Sequence, residues 1–239
     1  LDEFEQQWLV VAPKVLAQRT KRNPAHPRGA WKPAKGAEGD EVFLRNESGD
    51  IIASEVPLSE KQIAQVVADM DFVLSKVPPE TFEAVDYGHV ALRITPNMEP
   101  TVDGYVIMGI PLIHMNPAML DRLYPESARW PYGLVPSDSW RGTVAHEMGH
   151  VIDAAREESD YGPEGQWEAD VERAGLVGQH TGSSRGEMFA EMFAYWAMGY
   201  DPSWAPRKEI AQEYAKRFGW AQDEPKVMAQ RTRKNTPLQ

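Results

Sequence analysis

One stretch, Thr143–Asp153, constrains the fold of this chain more than any other. It contains His-Glu-Met-Gly-His among uncharged residues, which suits a helix that passes through a core. Residues four apart lie on one face of a helix, so His146 and His150 direct their imidazoles towards a common point. Zinc takes such nitrogen ligands and keeps a position for water in catalytic sites. The spacing therefore predicts a Zn²⁺-binding helix, with Glu147 beside the metal as the general base.

Two histidines leave a zinc site one protein ligand short, and a carboxylate is expected because the chain has no cysteine and position 156 is Arg156 rather than histidine. The segment Arg185–Ala194 carries Glu187 and Glu191 on one face of an otherwise apolar helix. We predict Glu187 as the third ligand and Glu191 as the carboxylate that orients a histidine. Two alternatives stay open: a capping box formed by Ser184 and Glu187, and Glu191 as the ligand.

Asp153 is a further carboxylate close to the motif. It follows His146 by seven residues and lies on the same side of the helix as both histidines. All three side chains converge on one ion only if the helix axis shifts. We therefore predict that Asp153 supports a histidine, or pairs with Arg156, from outside the ligand set.

The remaining pattern predicts an α+β fold with a small mixed sheet beside the motif helix. A hairpin is expected within residues 40–52, a helix from Ser59 to about Lys76, and strands at residues 90–95 and 104–115. Residues 105–115 are predicted to form the edge strand that pairs with an extended substrate, and the lone His114 within them is expected to be structural. Ser137, Asp138 or Ser139 caps the motif helix, and the last helices cover about residues 184–198 and 207–218.

Charge is distributed unevenly over the 239 residues. Residues 13–35 hold seven Lys/Arg and residues 226–239 hold four, with no acid in either, so the remaining 14 basic and 36 acidic residues give −22. Basic ends suit nucleic acid, an acidic partner or the acidic body of the same chain, and docking on that body, or on a protein partner, is the interpretation we favour over nucleic acid. Residues 153–172 hold eight acids, predicted as a solvated face or as a surface for basic substrates. No apolar run is long enough to span a membrane, so secretion or association with a virion is favoured over membrane insertion.

The two basic ends share a sequence. Residues 13–23, PKVLAQRTKRN, reappear as residues 225–235, PKVMAQRTRKN, and every difference preserves the chemistry of the side chain. The spacing of 212 residues is too long for a solenoid repeat. Two interpretations stay open: structural arms that dock on similar surfaces, and recognition or processing segments that flank the central body.

His146-Glu147-Met148-Gly149-His150, together with the segment Glu187–Ala194, resembles the gluzincin metallopeptidases of the anthrax lethal factor kind, a group with related domains in phage and bacterial proteins. The resemblance covers residues 140–198 and implies a zincin fold, zinc at His146, His150 and Glu187, and Glu147 as the general base. The family often places an oxyanion-stabilising tyrosine seven residues before the glutamate ligand. This chain has His180 there, with Tyr161, Tyr195 and Tyr200 as the next candidates.

These observations predict a zinc-dependent endopeptidase acting on a protein or peptide substrate. The expected organisation is an N-terminal arm and hairpin at residues 1–55, a zincin-like domain at 56–222 and a C-terminal basic arm at 223–239. The alternative is a structural or assembly component, for example of a phage particle, that carries the same fold and is processed from a larger precursor.

Overall fold

The computed structural model of the chain describes residues 29–37, 39–77, 89–99, 102–107, 110–122, 139–154, 156, 162–163, 165–175, 184–199 and 205–220. The predictions that concern His180, Tyr161, Tyr200 and both copies of the repeat lie outside these residues.

Six short strands form one mixed sheet with the order β1-β2-β3-β4-β6-β5. They are β1 (Lys32–Pro33), β2 (Val42–Arg45), β3 (Ile51–Ser54), β4 (Ala91–Ile94), β5 (Gly104–Val106) and β6 (Leu112–Met115). The strands β3, β4 and β6 are parallel neighbours, and the other pairs are antiparallel. The predicted hairpin is confirmed as β2 and β3. Of residues 105–115, however, only those in β5 lie at the edge, because β6 is held between β4 and β5.

The two faces of the central strands bury different groups. In β4, Leu92 and Ile94 belong to the main core, whereas Ala91 lies in a smaller cluster on the opposite face with Leu112. Alternation along a strand sends successive side chains to opposite faces, so a strand buried on both faces carries apolar residues in both sets. The main core therefore lies between one face of the sheet and the helices.

Five α-helices accompany the sheet in the described residues: α1 (Glu60–Lys76), α2 (Trp140–Asp153), α3 (Gln166–Arg173), α4 (Arg185–Met198) and α5 (Ala205–Arg217). The predicted start of α1 is confirmed, because Ser59 and Gln62 form a reciprocal capping box there. A short 3-10 helix, Pro117–Arg122, follows β6. No described helix has both the length and the apolar character that a membrane crossing requires.

The motif helix α2 occupies the centre of the helical part. It packs against α4 on one side, α1 on another and the β5–β6 end of the sheet on a third. The helix α4 is buried from Met188 to Tyr195, and Phe189 and Phe193 meet Trp220 at ring-centroid distances of 5.0 and 5.2 Å. Burial of each such side chain stabilises the fold by about 1.5–3 kcal/mol, so this packing helps to hold α4 in place against α2.

Residues 153–172 differ in part from the predicted solvated acidic face. The helix α3 occupies the end of this segment, and its Asp170 and Val171 are buried. Gln166 donates a hydrogen bond of 3.0 Å to Asp170, which gives the buried carboxylate a partner within the helix. Glu168 and Glu172 stay exposed, so α3 is an amphipathic helix with one acidic face.

Candidate metal centre

The first part of the site is the start of α2, where Ser139 accepts a hydrogen bond from the backbone N–H of Gly142. Ser139 is thus the cap among the three predicted candidates. The helix then runs without interruption through both histidines of the motif. His146 and His150 lie one turn apart with ring centroids 4.9 Å apart and an interplanar angle of 80°.

The helix α4 reaches the histidines because α2 carries a glycine at the point of contact. A Cβ added to Gly149 would lie 2.5 Å from the backbone Cα of Ala190, closer than two carbon atoms can approach. The two helices therefore pack with their backbones unusually close. Glu187 precedes Ala190 by three residues on α4, which places its carboxylate level with the two imidazoles.

The carboxylate of Glu187 lies between the two histidines. Its Oε2 is 3.2 Å from Nε2 of His146, and its Oε1 is 3.5 Å from Nε2 of His150. One ligand atom from each residue lies within 4.8 Å of the others, and the side chains are 12%, 17% and 17% exposed. Ser184 accepts from the backbone N–H of Glu187 at 3.2 Å, so the helix start is capped while the Glu187 carboxylate faces the histidines.

These distances fit the coordination that zinc prefers. Two ligands that each lie 2.0–2.1 Å from a tetrahedral ion are about 3.3 Å apart, close to the two imidazole–carboxylate distances. Two imidazoles with one carboxylate form a donor set typical of catalytic zinc. The partial exposure of all three side chains leaves room for a fourth ligand from solvent. His146, His150 and Glu187 therefore fit a zinc ion.

Glu191 lies behind His146 and is fully buried, at 0% exposure. Its Oε2 is 3.3 Å from Nδ1 of His146, on the opposite side of the ring from Glu187. A carboxylate at Nδ1 fixes the tautomer that presents Nε2 to a metal. This is the arrangement predicted for Glu191, and it leaves Glu187 as the carboxylate that faces both Nε2 atoms.

The charges around His146 oppose the cost of burial. Burial alone would lower the pKa of His146, but hydrogen bonds to Glu187 and Glu191 outweigh it and raise this pKa to about 10. Burial would raise the pKa of Glu187, yet the hydrogen bonds from His146 and His150 hold it well below its ordinary value. A proton on His146 is thus stabilised by the negative charges of the neighbouring carboxylates.

Burial raises the pKa of Glu191, although the charges of His146 and Arg207 act in the opposite direction. Arg207, in the first turn of α5, is buried and donates from Nη1 to Oη of Tyr195 at 2.8 Å and from Nε to the carbonyl of Ala174 at 3.3 Å. Nothing in the local sequence marks this arginine as part of the site. Arg207 comes close to Tyr195 and Glu191 because α5 packs on α4.

Glu147 faces away from α4, towards the sheet. It is 6% exposed, and a Cβ added to Gly104 of β5 would lie 3.2 Å from its Oε1. The carboxylate predicted as general base thus lies beside the edge strand, where the absence of a side chain at Gly104 leaves it room. The sequence pattern identifies Glu147 but carries no signal for Gly104.

Asp153 lies at the C-terminal end of α2, near His150. A Cβ added to Gly186 would lie 3.0 Å from Oδ2 of Asp153 and 4.0 Å from Nδ1 of His150, so both atoms border this glycine. Burial raises the pKa of Asp153 to about 6, although the charges of His150, Arg185 and Arg156 act in the opposite direction. Asp153 thus lies near His150 and is not among the residues that could hold a metal in the described part of the chain, and its predicted support of a histidine stays a prediction.

The candidates for an oxyanion-stabilising group separate into two classes. His180, Tyr161 and Tyr200 lie outside the described residues. Tyr195 is buried and accepts the hydrogen bond of Arg207, so its hydroxyl serves the interior rather than a substrate.

His114 is buried in β6, stacked on Tyr105 at a centroid distance of 4.5 Å, and is not part of the metal-ligand group in the described residues.

Comparison of the chain with protein-family models, with curated proteins and with solved structures found no match. What the site can do is therefore inferred from the chemistry and the geometry of its own side chains.

Proposed function

We propose that this protein is a zinc-dependent endopeptidase with a zincin-like catalytic domain. The observation that carries the proposal is the convergence of His146, His150 and Glu187, with Glu147 held apart from them beside an edge strand. A structural zinc site closes all four positions with protein ligands, whereas three ligands with a nearby carboxylate base are typical of hydrolysis.

The role of zinc in this proposal is that of a Lewis acid, which polarises a carbonyl and lowers the pKa of water towards about 7. The chain supplies the remaining functions. Glu191 holds His146 in the orientation that presents Nε2, because its carboxylate lies 3.3 Å from Nδ1. Asp153 lies beside Gly186, as does Nδ1 of His150, and its charge interacts with that of His150, so it is the proposed support on that side.

Glu147 moves the proton in this scheme. It takes a proton from water as the oxygen attacks the scissile carbonyl, and the same carboxyl then delivers that proton to the departing amine. The amide C–N bond breaks, one carboxylate and one amine form, and Glu147 returns to its starting state. Its low exposure favours the transfer, because few water molecules compete for the carboxylate.

The strand β5 is the proposed place for the substrate backbone. It lies at the end of the sheet order with β6 as its described neighbour, and Gly104 brings it next to Glu147. An extended peptide that adds to a sheet edge forms main-chain hydrogen bonds and is held in one register. A scissile bond in that register passes beside the general base.

The test is Glu147→Gln, with the exposed Glu172→Gln on α3 as the matched control. Glu147→Gln should retain about one zinc per chain by elemental analysis and lose hydrolysis of fluorescein-labelled casein by at least about 10²-fold, because the amide cannot accept the proton. Glu172→Gln should change neither. A fully active Glu147→Gln protein would remove Glu147 from the mechanism, and co-assembly with a partner without turnover would favour the assembly role.

A further inference from the structure

The repeated segment at the two ends of the chain has no part in the site as described so far. Residues 13–23 and 225–235 agree at eight of eleven positions, and the other three exchange Leu for Met or Lys for Arg. Agreement extends to small and polar residues such as Ala17 and Thr20, which bring little stability to an arm that merely covers a surface. Two segments with the same side chains in the same order are what a single binding site would select.

The composition of the segment suits a peptide that binds in extended form. A proline opens each copy, an apolar Val-(Leu/Met)-Ala stretch follows, and the sequence contains no glycine. Each copy holds four basic residues and no acid, whereas the chain outside the basic ends carries −22. Opposite net charges attract the segment to the body and speed their encounter.

The described surface offers one edge for such a peptide next to the reactive groups. The strand β5 is the last strand in the sheet order, Gly104 packs closely against Glu147, and Tyr105 is 40% exposed. Backbone pairing at β5 and basic side chains towards the acidic body are compatible in one extended peptide.

We propose that the segment Pro-Lys-Val-(Leu/Met)-Ala-Gln-Arg-Thr is the substrate sequence of this site, bound along β5 and cleaved within residues 13–23 and 225–235. The inference rests on the proposed peptidase function and adds the sequence that it recognises. Water adds across one amide bond of the segment, the C–N bond breaks, and a carboxylate and an amine result, so no further reactant is required. A tethered copy has an effective concentration of about 1 mM or less, which makes cleavage within one chain efficient.

Cleavage is tested on the full chain. The zinc-loaded protein is incubated, and its intact mass is followed alongside Glu147→Gln and a variant in which both copies are scrambled at constant composition. We expect cuts inside one or both copies for the unaltered chain and none for the other two proteins. The scrambled variant should still hydrolyse labelled casein, because its catalytic residues are intact. A rate that is independent of protein concentration would assign the cut to the same chain.

Binding is tested without catalysis. The scrambled chain that also carries Glu147→Gln is titrated against a labelled peptide of residues 13–23, with a scrambled peptide as control, by fluorescence anisotropy. We expect the native peptide to bind at least about tenfold more tightly than the scrambled peptide. We also expect the native peptide to bind more weakly to a Glu147→Gln chain that keeps its own copies, because the tethered segments compete with it. Raised salt should weaken this binding.

The outcomes separate the two proposals. Casein hydrolysis by a chain whose copies stay intact, with no preference for the native peptide, would overturn the substrate assignment and leave the peptidase function standing. Absence of hydrolysis of both casein and the copies in the zinc-loaded protein would overturn the peptidase function, and the cleavage of the segment with it.

Discussion

The motif helix α2 contacts a carboxylate of a neighbouring helix on each of two sides, and the two contacts differ in kind. Towards α1, Oδ1 of Asp69 accepts from Nε and Nη2 of Arg141 at 2.7 and 2.6 Å and from Nε2 of Gln65 at 2.8 Å. Towards α4, the contacts of Glu187 with His146 and His150 are 3.2 and 3.5 Å long. The first carboxylate is tightly bonded by side chains, and the second stands at the spacing of ligands around an ion.

The cations at the two contacts differ as well. On the α1 side the cation is the guanidinium of Arg141, which pairs with Asp69 and also lies over the ring of Phe72, 4.6 Å from the centroid. The imidazole of His146 can lose its proton to make room for a metal. The α1 side of the helix thus has short contacts to a guanidinium, whereas the α4 side has longer contacts between a carboxylate and two imidazoles, which is the side where we propose that a metal binds.

The largest effect should separate these two carboxylates. Glu187→Ala removes a proposed ligand, so we expect the zinc content to fall from about one per chain to near zero. The loss of zinc affinity should exceed the 10–100-fold that is typical when a residue that supports a ligand is mutated. Asp69→Ala should keep its zinc and lose about 1–3 kcal/mol of unfolding free energy, because Arg141 is partly exposed and water replaces part of the lost contact. Elemental analysis and thermal unfolding of both variants measure the contrast.

The reverse pattern would break the comparison. Stoichiometric zinc in Glu187→Ala would move the third ligand to Glu191 or Asp153, and zinc loss in Asp69→Ala would make the α1 contact part of the metal centre. Glu191→Gln provides a graded control, because it alters the partner of Nδ1 and leaves the ligand set complete.

The next effect concerns the distance between α2 and α4. In Gly149→Ala the new methyl group meets the backbone of Ala190, which cannot rotate away, so α4 must move and carry Glu187 with it. Overpacking costs about 1–3 kcal/mol, which exceeds the gain of about 1 kcal/mol from replacing glycine by alanine in a helix. We expect a lower melting temperature and weaker zinc binding, measured by calorimetry with and without zinc.

Gly104→Ala is the matched control for this prediction. Its methyl group would lie 3.1 Å from Cγ2 of Thr143 and 3.2 Å from Glu147, and both are side chains that can shift by a few tenths of an ångström. Zinc binding should therefore persist while hydrolysis falls. Equal zinc loss in both variants would show that the close approach of the helices has no special role.

The sequence predicts the side chains of the site better than it predicts the contacts that unite them. Glu187 and Glu191 stand out because carboxylates spaced by four on an apolar helix require compensation, and Ser59 and Ser139 mark helix starts by local hydrogen bonds. Each of these signals is contained within one or two turns of a helix. Local chemistry is enough to find them.

Contacts between distant segments leave weaker traces. The run 104–115 looks like one strand, yet it forms the edge strand β5 and the internal strand β6, because the pairing of β6 with β4 depends on chain far away in sequence. Gly104 and Gly149 matter through the space beside them, and Arg207 through the packing of α5 on α4. None of these three residues belongs to a periodic pattern that could be recognised in a single sequence.

The third effect is a dependence on pH that only the metal centre should show. The folded pKa of His146, about 10, exceeds its unfolded value of 6.5, so its proton stabilises the metal-free fold fully below about pH 6.5, and this stabilisation is lost as the pH rises through about 10. Zinc must displace that proton. Its apparent affinity should therefore rise about tenfold per pH unit between pH 6.5 and 8.5.

Competition with a chelator of known affinity measures this slope. The Asp69→Ala variant should keep the slope, because Asp69 contacts Arg141 and not the histidines of the motif. A zinc affinity that is flat between pH 6.5 and 8.5 would mean that His146 is already neutral in the metal-free protein, and the site would then resemble a preformed pocket more than a proton–metal exchange site.

The smallest effect tests a third carboxylate, Asp153, which lies on the motif helix α2 itself. Burial raises the pKa of Asp153 from 3.8 to about 6, so the stability that its protonated form provides is present below about pH 3.8 and lost as the pH rises through 6. Its Oδ1 is buried without a hydrogen-bond partner in the described part of the chain, unlike Oδ1 of Asp69.

Asp153→Asn should therefore raise the unfolding free energy at pH 8 by about 1 kcal/mol, a third of what two pKa units imply, because the side chain is partly exposed. At pH 4.5 the gain should nearly vanish. The zinc affinity of the same variant shows whether the ionised Asp153 has a function. A decrease of about tenfold would mean that the ionised Asp153 supports His150 at a cost in stability, as outer partners of metal ligands do. An unchanged affinity would make Asp153 a buried charge with no function in the metal centre, and only the contacts to Glu187 and Glu191 would then distinguish this side of α2 from the Asp69 side.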